Sequence, residues 1–421
     1  MPIPPERRSV QRGVYWLTEA FYPPIVGGQE LFAAQIVRAL AARGMHVQVI
    51  TRQSEPLSPD AELIGAVPVR RFRPAGNLKG KAWRAVLPIL GYLLRLTVLL
   101  LKEHRHYDIV IVSGAKLMPM IVVPVCHLMG KKCIVRVESF FELKEAVSAE
   151  SLRDMGKIPA GAIVGGVDRL RLFFLRRAHA VIAISEEIHA ALLSRGVAAP
   201  RIHDIPNAVD LQKFRPVSAE EKARLIQKLQ LPSNRTLAIF AGRLSRAKGL
   251  PMLIEAWPEI IARHPQLCLL VVGSGHISFD NCEAYVKEFA REHYLADSVK
   301  FLGEHANINE YLQAADFFLF PTEYEGFSLA LVEAMGCALP VVVTAVGAAP
   351  DLIRNGANGF LFPPKNPQAM VAAIEATLGA RSRWPQIAAG ARDSVARFDL
   401  ATVADQYLAL CGSLTYPLDD L

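Results

Sequence analysis

The sequence predicts two doubly wound α/β domains with parallel sheets. Its 421 residues exceed one ordinary core. Short apolar β-type runs alternate with helical patterns, and the whole scheme occurs twice. A polar connector, Asn207-Ala-Val-Asp-Leu-Gln-Lys-Phe-Arg-Pro216, separates the two series. A hydrophobic content of 52% with 21% charged residues excludes a largely disordered chain.

In the first series, strands are predicted at Gly13–Thr18, His46–Thr51, Val67–Phe72, Asp108–Ser113, Lys132–Val137, Ala180–Ile184 and Arg201–Ile205. Helical patterns fall between most of them, at Gln29–Arg43, Trp83–His104, Leu117–Met129 and Ser185–Arg195. The second series has strands at Thr236–Ala241, Leu267–Val272, Val299–Leu302, Phe317–Phe320, Val341–Thr344 and Gly359–Phe362. Its helices run near Pro251–Arg263, Cys282–His293, Ile308–Ala314, Phe327–Met335 and Pro367–Leu378, and the chain closes with Arg383–Arg397 and Leu400–Leu410. The expected division is an N-terminal domain over 1–208, a C-terminal domain over 209–396, and a helical tail, 397–421, packing back on the first domain. Parallel sheets bind ligands at the carboxyl ends of their strands, so strand-exit loops should line a central cleft between the domains.

The six cysteines form no Cys-x-x-Cys pair, and four lie in or beside apolar runs, as buried thiols of a reducing cytoplasm do. The opening Met-Pro-Ile-Pro-Pro-Glu-Arg-Arg is proline-rich and polar with no secretory segment after it, so a cytoplasmic location is expected. Residues 1–210 hold 28 Lys and Arg against 18 acids, whereas 211–421 hold 19 against 22. The asymmetry is sharpest from Leu63 to Lys102, with eight bases and no acid. Within it, Ala85–Leu101 carries one charge, Arg95, which would sit mid-bilayer in a spanning helix. Two readings of 63–105 stay open: a core helix with a solvated basic edge, or a peripheral contact with an anionic membrane surface on its inner face. The tract lacks interleaved aromatics and any nucleic-acid motif, so no nucleic-acid partner is expected.

Four strand-exit loops carry chemistry. In Tyr22-Pro-Pro-Ile-Val-Gly27-Gly28-Gln29-Glu30, paired glycines let the backbone approach a phosphate or sugar at a helix N-terminus. Gly242-Arg243-Leu-Ser-Arg246-Ala-Lys248-Gly249 is not a P-loop, because Ala247 stands where the second glycine belongs, yet Arg243 and Lys248 can converge on a diphosphate. Gly273-Ser-Gly275-His-Ile-Ser278 begins like a dinucleotide fingerprint and loses its third glycine to Ser278. The fourth, Glu325-Gly-Phe-Ser-Leu-Ala-Leu-Val-Glu333-Ala-Met-Gly336, places one acid in a loop and another about two turns along a helix. Eight residues of helical rise separate them by about 10–12 Å. Glycoside hydrolases hold their carboxylate pair about 5–9.5 Å apart. These two acids therefore suit gripping two parts of one long ligand. No Asp-x-Asp pair, zinc-spaced cluster or Gly-x-Ser-x-Gly elbow occurs.

Taken in order, these loops resemble the family-4 retaining glycosyltransferases of the GT-B fold, over nearly the whole chain. The marks are Glu325 to Glu333, Gly242 to Gly249 and Gly27-Gly28, supported by Ile184-Ser-Glu-Glu-Ile188 and Ile205-Pro-Asn-Ala-Val-Asp210. The resemblance implies a UDP- or GDP-linked nucleotide sugar as co-substrate, with no cofactor and no metal, and a saccharide or lipid-linked acceptor. By similarity, Arg243 and Lys248 bind the diphosphate, Glu325 the sugar hydroxyls and Glu333 the ribose hydroxyls. Backbone at Gly242, Gly326, Phe327, Ser328 and Leu329 contacts sugar and phosphate, and Gly27 and Gly28 close on the phosphate from the other domain. Many members carry a histidine after the strand matching Ile134-Val-Arg-Val137. Here that place holds Glu138 or Ser139, and Glu138 is the expected sugar contact. A GT-B sugar-nucleotide epimerase or hydrolase, and a non-catalytic subunit supporting a partner transferase, are the alternatives.

Overall fold

The computed structural model describes residues 13–22, 27–53, 59–72, 83–144, 160–276 and 280–415, without the side chains of 83–89, 141, 144 and 160–164. Arg73, Lys79, Lys81, the Arg84 side chain and Ser278 lie outside the described residues. The chain divides into two compact units, one of Met1–Ile184, Ile188–Ile205 and Ala404–Leu421, the other of Ser185–Glu187 and Pro206–Val403.

The first unit runs β1 (Gly13–Thr18), α1 (Gly28–Ala42), β2 (His46–Arg52), β3 (Ala61–Ile64), β4 (Val67–Phe72), α2 (Trp83–Lys102), β5 (Ile109–Ser113) and α3 (Pro119–Leu128). It continues with β6 (Lys132–Val137), α4 (Phe140–Lys144), α5 (Ala160–Leu175), β7 (Ala180–Ala183), α6 (Glu186–Ser194) and β8 (Ile202–Asp204). Its eight strands lie in the order β3-β4-β2-β1-β5-β6-β7-β8. All pairings are parallel except β3–β4, which pairs Ile64 with Val67 across a two-residue turn. The central strands read as continuous apolar runs, and β5 is buried along its whole length, because helices cover both faces of such a sheet. Right-handed crossovers put α2, α3 and α5 on one face, since β4→β5, β5→β6 and β6→β7 all step in one direction. Helix α1 joins strands that step the other way and covers the opposite face.

The second unit runs α7 (Ala219–Lys228), β9 (Thr236–Ala241), α8 (Leu250–Arg263), β10 (Leu267–Val272), α9 (Glu283–Glu292), β11 (Val299–Gly303), α10 (Ile308–Ala314), β12 (Phe317–Phe320) and α11 (Leu329–Gly336). Then come β13 (Val341–Thr344), α12 (Ala349–Leu352), β14 (Phe360–Phe362), α13 (Pro367–Gly379), α14 (Trp384–Val395) and α15 (Leu400–Thr415). The sheet order is β11-β10-β9-β12-β13-β14, all parallel. Strands leave β9 first in one direction and then in the other, so the topological switch point lies between β9 and β12, where ligands of such sheets bind.

From Ala404 on, α15 belongs to the first unit. The Tyr407 ring lies 5.6 Å from the Trp16 ring of β1, tilted by 43°, and Asp405 accepts from Arg43 at 2.9 Å. Strand β3, helix α7 and helix α5 are absent from the sequence prediction. Among the described residues no helix is long and apolar enough to cross a membrane.

Candidate functional site at the switch point of the second sheet

The loops leaving β9 and β12 flank the switch point, and they carry Lys248 and Glu325. The 242–249 loop bends over the β12 exit. Gly249 sits at φ +70°, and a Cβ there would lie 1.9 Å from the Pro321 carbonyl oxygen, so only glycine fits. Ala247 bonds across the gap: its carbonyl accepts from the Glu323 N–H at 2.8 Å and from the Thr322 hydroxyl at 3.2 Å. The Thr344 hydroxyl, at the end of β13, donates to the Thr322 carbonyl at 2.5 Å. From the same side, Gly347 at φ +55° presses on the Glu325 backbone, and a Cβ there would lie 2.5 Å from the Glu325 carbonyl oxygen.

This frame joins Lys248 and Glu325 in an ion pair, their side chains 15% and 16% exposed. The Lys248 ammonium also lies 5.4 Å from the centroid of the Phe320 ring. Arg243, earlier in the same loop, is exposed and its guanidinium has no partner among the described residues. The rim thus presents one compensated and one uncompensated cation, a suitable seat for an anionic group.

Helix α11 begins at Leu329, two residues later than predicted, because Ser328 caps it: its hydroxyl accepts from the Leu331 N–H at 3.2 Å. Glu333 therefore lies little more than one turn into the helix. It is 8% exposed, and its carboxylate has no hydrogen-bond or ion-pair partner among the described residues. Burial pushes its pKa from 4.5 up to about 7, against a smaller opposing effect of the Lys213 charge. The Phe327 ring meets Phe398 edge-on at 5.3 Å and is buried, which leaves its backbone as the part facing the rim.

Two family models match the chain in tandem. "Glycosyltransferase Family 4" covers residues 26–213, and "Glycosyl transferases group 1" covers 235–379. D-inositol 3-phosphate glycosyltransferase 1 of Catenulispora acidiphila is 28% identical over 401 residues, 91% of this chain and 90% of its own. Sucrose-phosphate synthase from Thermosynechococcus elongatus shares the fold with a TM-score of 0.78 at 25% identity, over 96% of this chain and 99% of that one. HepE of Anabaena, solved with UDP, has a TM-score of 0.73 at 23% identity, over 96% of this chain and all of its own, a likeness of fold. The chain is a GT-B glycosyltransferase.

In the transferase's first unit the sequence-derived residues behave differently from one another. Gly27 caps α1 with φ −176°, extended backbone open to any residue, so the missing side chain rather than the turn is what glycine provides there. Gly28 opens the helix and is exposed. Glu138 is turned inward. It is 6% exposed, and its carboxylate is ion-paired with the fully buried Arg136, whose guanidinium lies 4.1 Å from the centroid of the Phe32 ring. Glu138, the expected sugar contact, thus stands in an interior ion pair, because a buried guanidinium requires a counter-charge. Next to it, the Glu142 carboxylate accepts from the backbone N–H groups of Ala115 at 2.9 Å and Glu138 at 3.1 Å. Burial, then the Glu138 charge, raises the Glu142 pKa to about 7.

Sequence reasoning missed three residues that shape the transferase's rim. The Asp280 carboxylate accepts from the Ala247 N–H at 2.7 Å and its carbonyl from the Arg246 N–H at 3.0 Å, which fixes the turn carrying Lys248. Lys213 supplies the charge acting on Glu333. Gly347 holds the Glu325 backbone. Each sits on a loop distant in sequence from its target, so only the spacing of glycines after strands gives any signal.

Proposed function

We propose that this transferase is a metal-independent, retaining enzyme of family 4 that moves a sugar from a UDP- or GDP-linked donor to a saccharide or lipid-linked acceptor, working peripherally at the inner face of a membrane. The observation that carries the donor side is the buried, unpartnered Glu333 carboxylate on the helix that follows the Lys248–Glu325 pair. A buried carboxylate without a donor is costly alone and is satisfied by ligand hydroxyls, which suits a ribose. Lys248 and Arg243 supply fixed positive charge for the departing diphosphate, about 3–4 kcal/mol per well-placed donor in comparable sites. That charge takes the role a divalent ion would otherwise fill. Diphosphate binding draws Lys248 from Glu325, and the released carboxylate then accepts from sugar hydroxyls. HepE, of the same fold, was solved with UDP, which favours a uridine donor among those named.

The test is donor turnover in chelator. Incubation with α-linked UDP- and GDP-sugars in excess EDTA should release nucleoside diphosphate, and proton NMR should detect the α anomer first. A β product, or turnover that vanishes with EDTA and returns with a divalent ion, would overturn this reading.

A further inference from the structure

Helices α2, α3 and α5 form one outer layer of the first unit, and that layer exposes apolar side chains on a basic ground. On α2, Leu90, Leu94, Val98 and Leu101 are 55%, 65%, 41% and 37% exposed. Their spacing places them within about 80° of helix circumference, opposite the buried Leu96 and Leu100. The neighbouring helices of the layer expose apolar residues too: Leu128 ends α3 at 77% exposure, and Leu170 and Phe173 on α5 are also exposed. Seven of the twelve exposed large hydrophobic residues among the described ones thus lie on these three helices.

Among the described residues of these helices and the turns that follow them, the exposed charges are basic. Arg95, Lys102, Arg105, Arg169, Arg176 and Arg177 are all exposed. The nearby acids are committed inward: Glu103 accepts from Arg70 and Tyr15, and Asp168 accepts from the buried Arg171. An apolar stripe edged by arginine and lysine, without an exposed acid among the layer's described residues, is complementary to an interface that is oily below and anionic at its surface. We infer that this three-helix layer docks on an anionic phospholipid bilayer, with the leucine stripe at acyl-chain depth and the bases at the phosphates. This deepens the peripheral placement proposed above and rests on it, while remaining independent of the sugar moved.

The experiment uses the full chain and two variant pairs, Leu94→Ser/Val98→Ser and Arg95→Glu/Lys102→Glu, none of them at the donor rim. Co-flotation is measured with phosphatidylcholine vesicles alone and with vesicles containing roughly one-third phosphatidylglycerol. Wild type should float with the anionic vesicles only. The charge pair should bind them at least about twentyfold more weakly, near fivefold per base. The serine pair should lose roughly tenfold. UDP-sugar hydrolysis in solution should be unchanged in both, so that loss of docking is separable from loss of the transferase reading. Equal failure to float with either vesicle, or flotation that neither pair alters, overturns the inference. So does a wild-type dimer in light scattering that both pairs convert to monomer, because the layer would then face a second copy.

Discussion

Replacing Glu333 with glutamine should change how stability depends on pH. The Glu333 carboxyl moves from 4.5 to about 7 on folding because burial disfavours its ionised form. Between those values the folded chain holds a proton that the unfolded chain has released, so stability falls as pH rises through this window. The whole displacement corresponds to about 3 kcal/mol, fully felt above pH 7 and absent below pH 4.5. Glutamine fills the same volume and cannot ionise, so its contribution should be flat. Urea denaturation of wild type and Glu333→Gln at acidic and alkaline pH isolates the effect, since every other titrating group cancels in the difference. The variant should gain about 2.5 kcal/mol on wild type between pH 5 and pH 8.5. Profiles that run parallel within about 0.5 kcal/mol would refute the buried, ionisation-averse glutamate. Ligand binding gives the complementary sign. Ribose hydroxyls donating to the carboxylate favour its charged form, so donor binding near pH 6.5 should release protons. Calorimetry in buffers of different ionisation heat reads that release.

Other residues of the site make sharper local predictions. Lys248→Ala should lower kcat roughly a hundredfold or more, read as diphosphate release at saturating donor, because a fixed cation at the leaving group is lost. Gly347→Ala should cost about 1–3 kcal/mol in denaturation and raise the donor KM, since its φ is +55° and its Cβ would strike the Glu325 carbonyl. Asp280→Ala should raise donor KM with little change in kcat, because the turn before Lys248 loses the carboxylate bond to Ala247. Glu138→Gln should leave donor affinity unchanged by calorimetry yet destabilise the chain by about 3–5 kcal/mol, as Arg136 would be left buried without a counter-charge.

The central parallel strands were legible because they are buried on both faces and so read as nearly unbroken apolar runs. Other elements gave no such signal. Helix α7 buries no residue fully and carries only two large apolar side chains, Leu225 and Ile226, so its apolar signal is weak; the Ser218–Glu221 cap, with Ser218 accepting from the Glu221 N–H at 3.2 Å, marks its start. Helix α5 begins with Gly161, Gly165 and Gly166, poor helix formers that tertiary packing overrides. Strand β3 is a four-residue edge strand with mixed exposure. At the site, the loop positions of Lys248 and Glu325 and the helical position of Glu333 could be read from their spacing. The Glu138–Arg136 ion pair could not, because it forms only where the sheet and the Phe32 ring of α1 enclose Arg136. Asp280 and Gly347 escaped for the same reason: their partners are backbone atoms of loops brought near only by the sheet order.

The central claim is that the rim between β9 and β12 holds a nucleotide sugar through Arg243, Lys248, Glu325 and Glu333. Isothermal titration of UDP- and GDP-sugars into wild type, Arg243→Ala and Glu325→Ala tests it most directly. One donor should bind wild type, with affinity reduced at least about tenfold in each variant, and bare diphosphate nucleotide should be sensitive to Arg243 but not to Glu325. Unchanged donor affinity in both variants would contradict the assignment of this rim as the donor site.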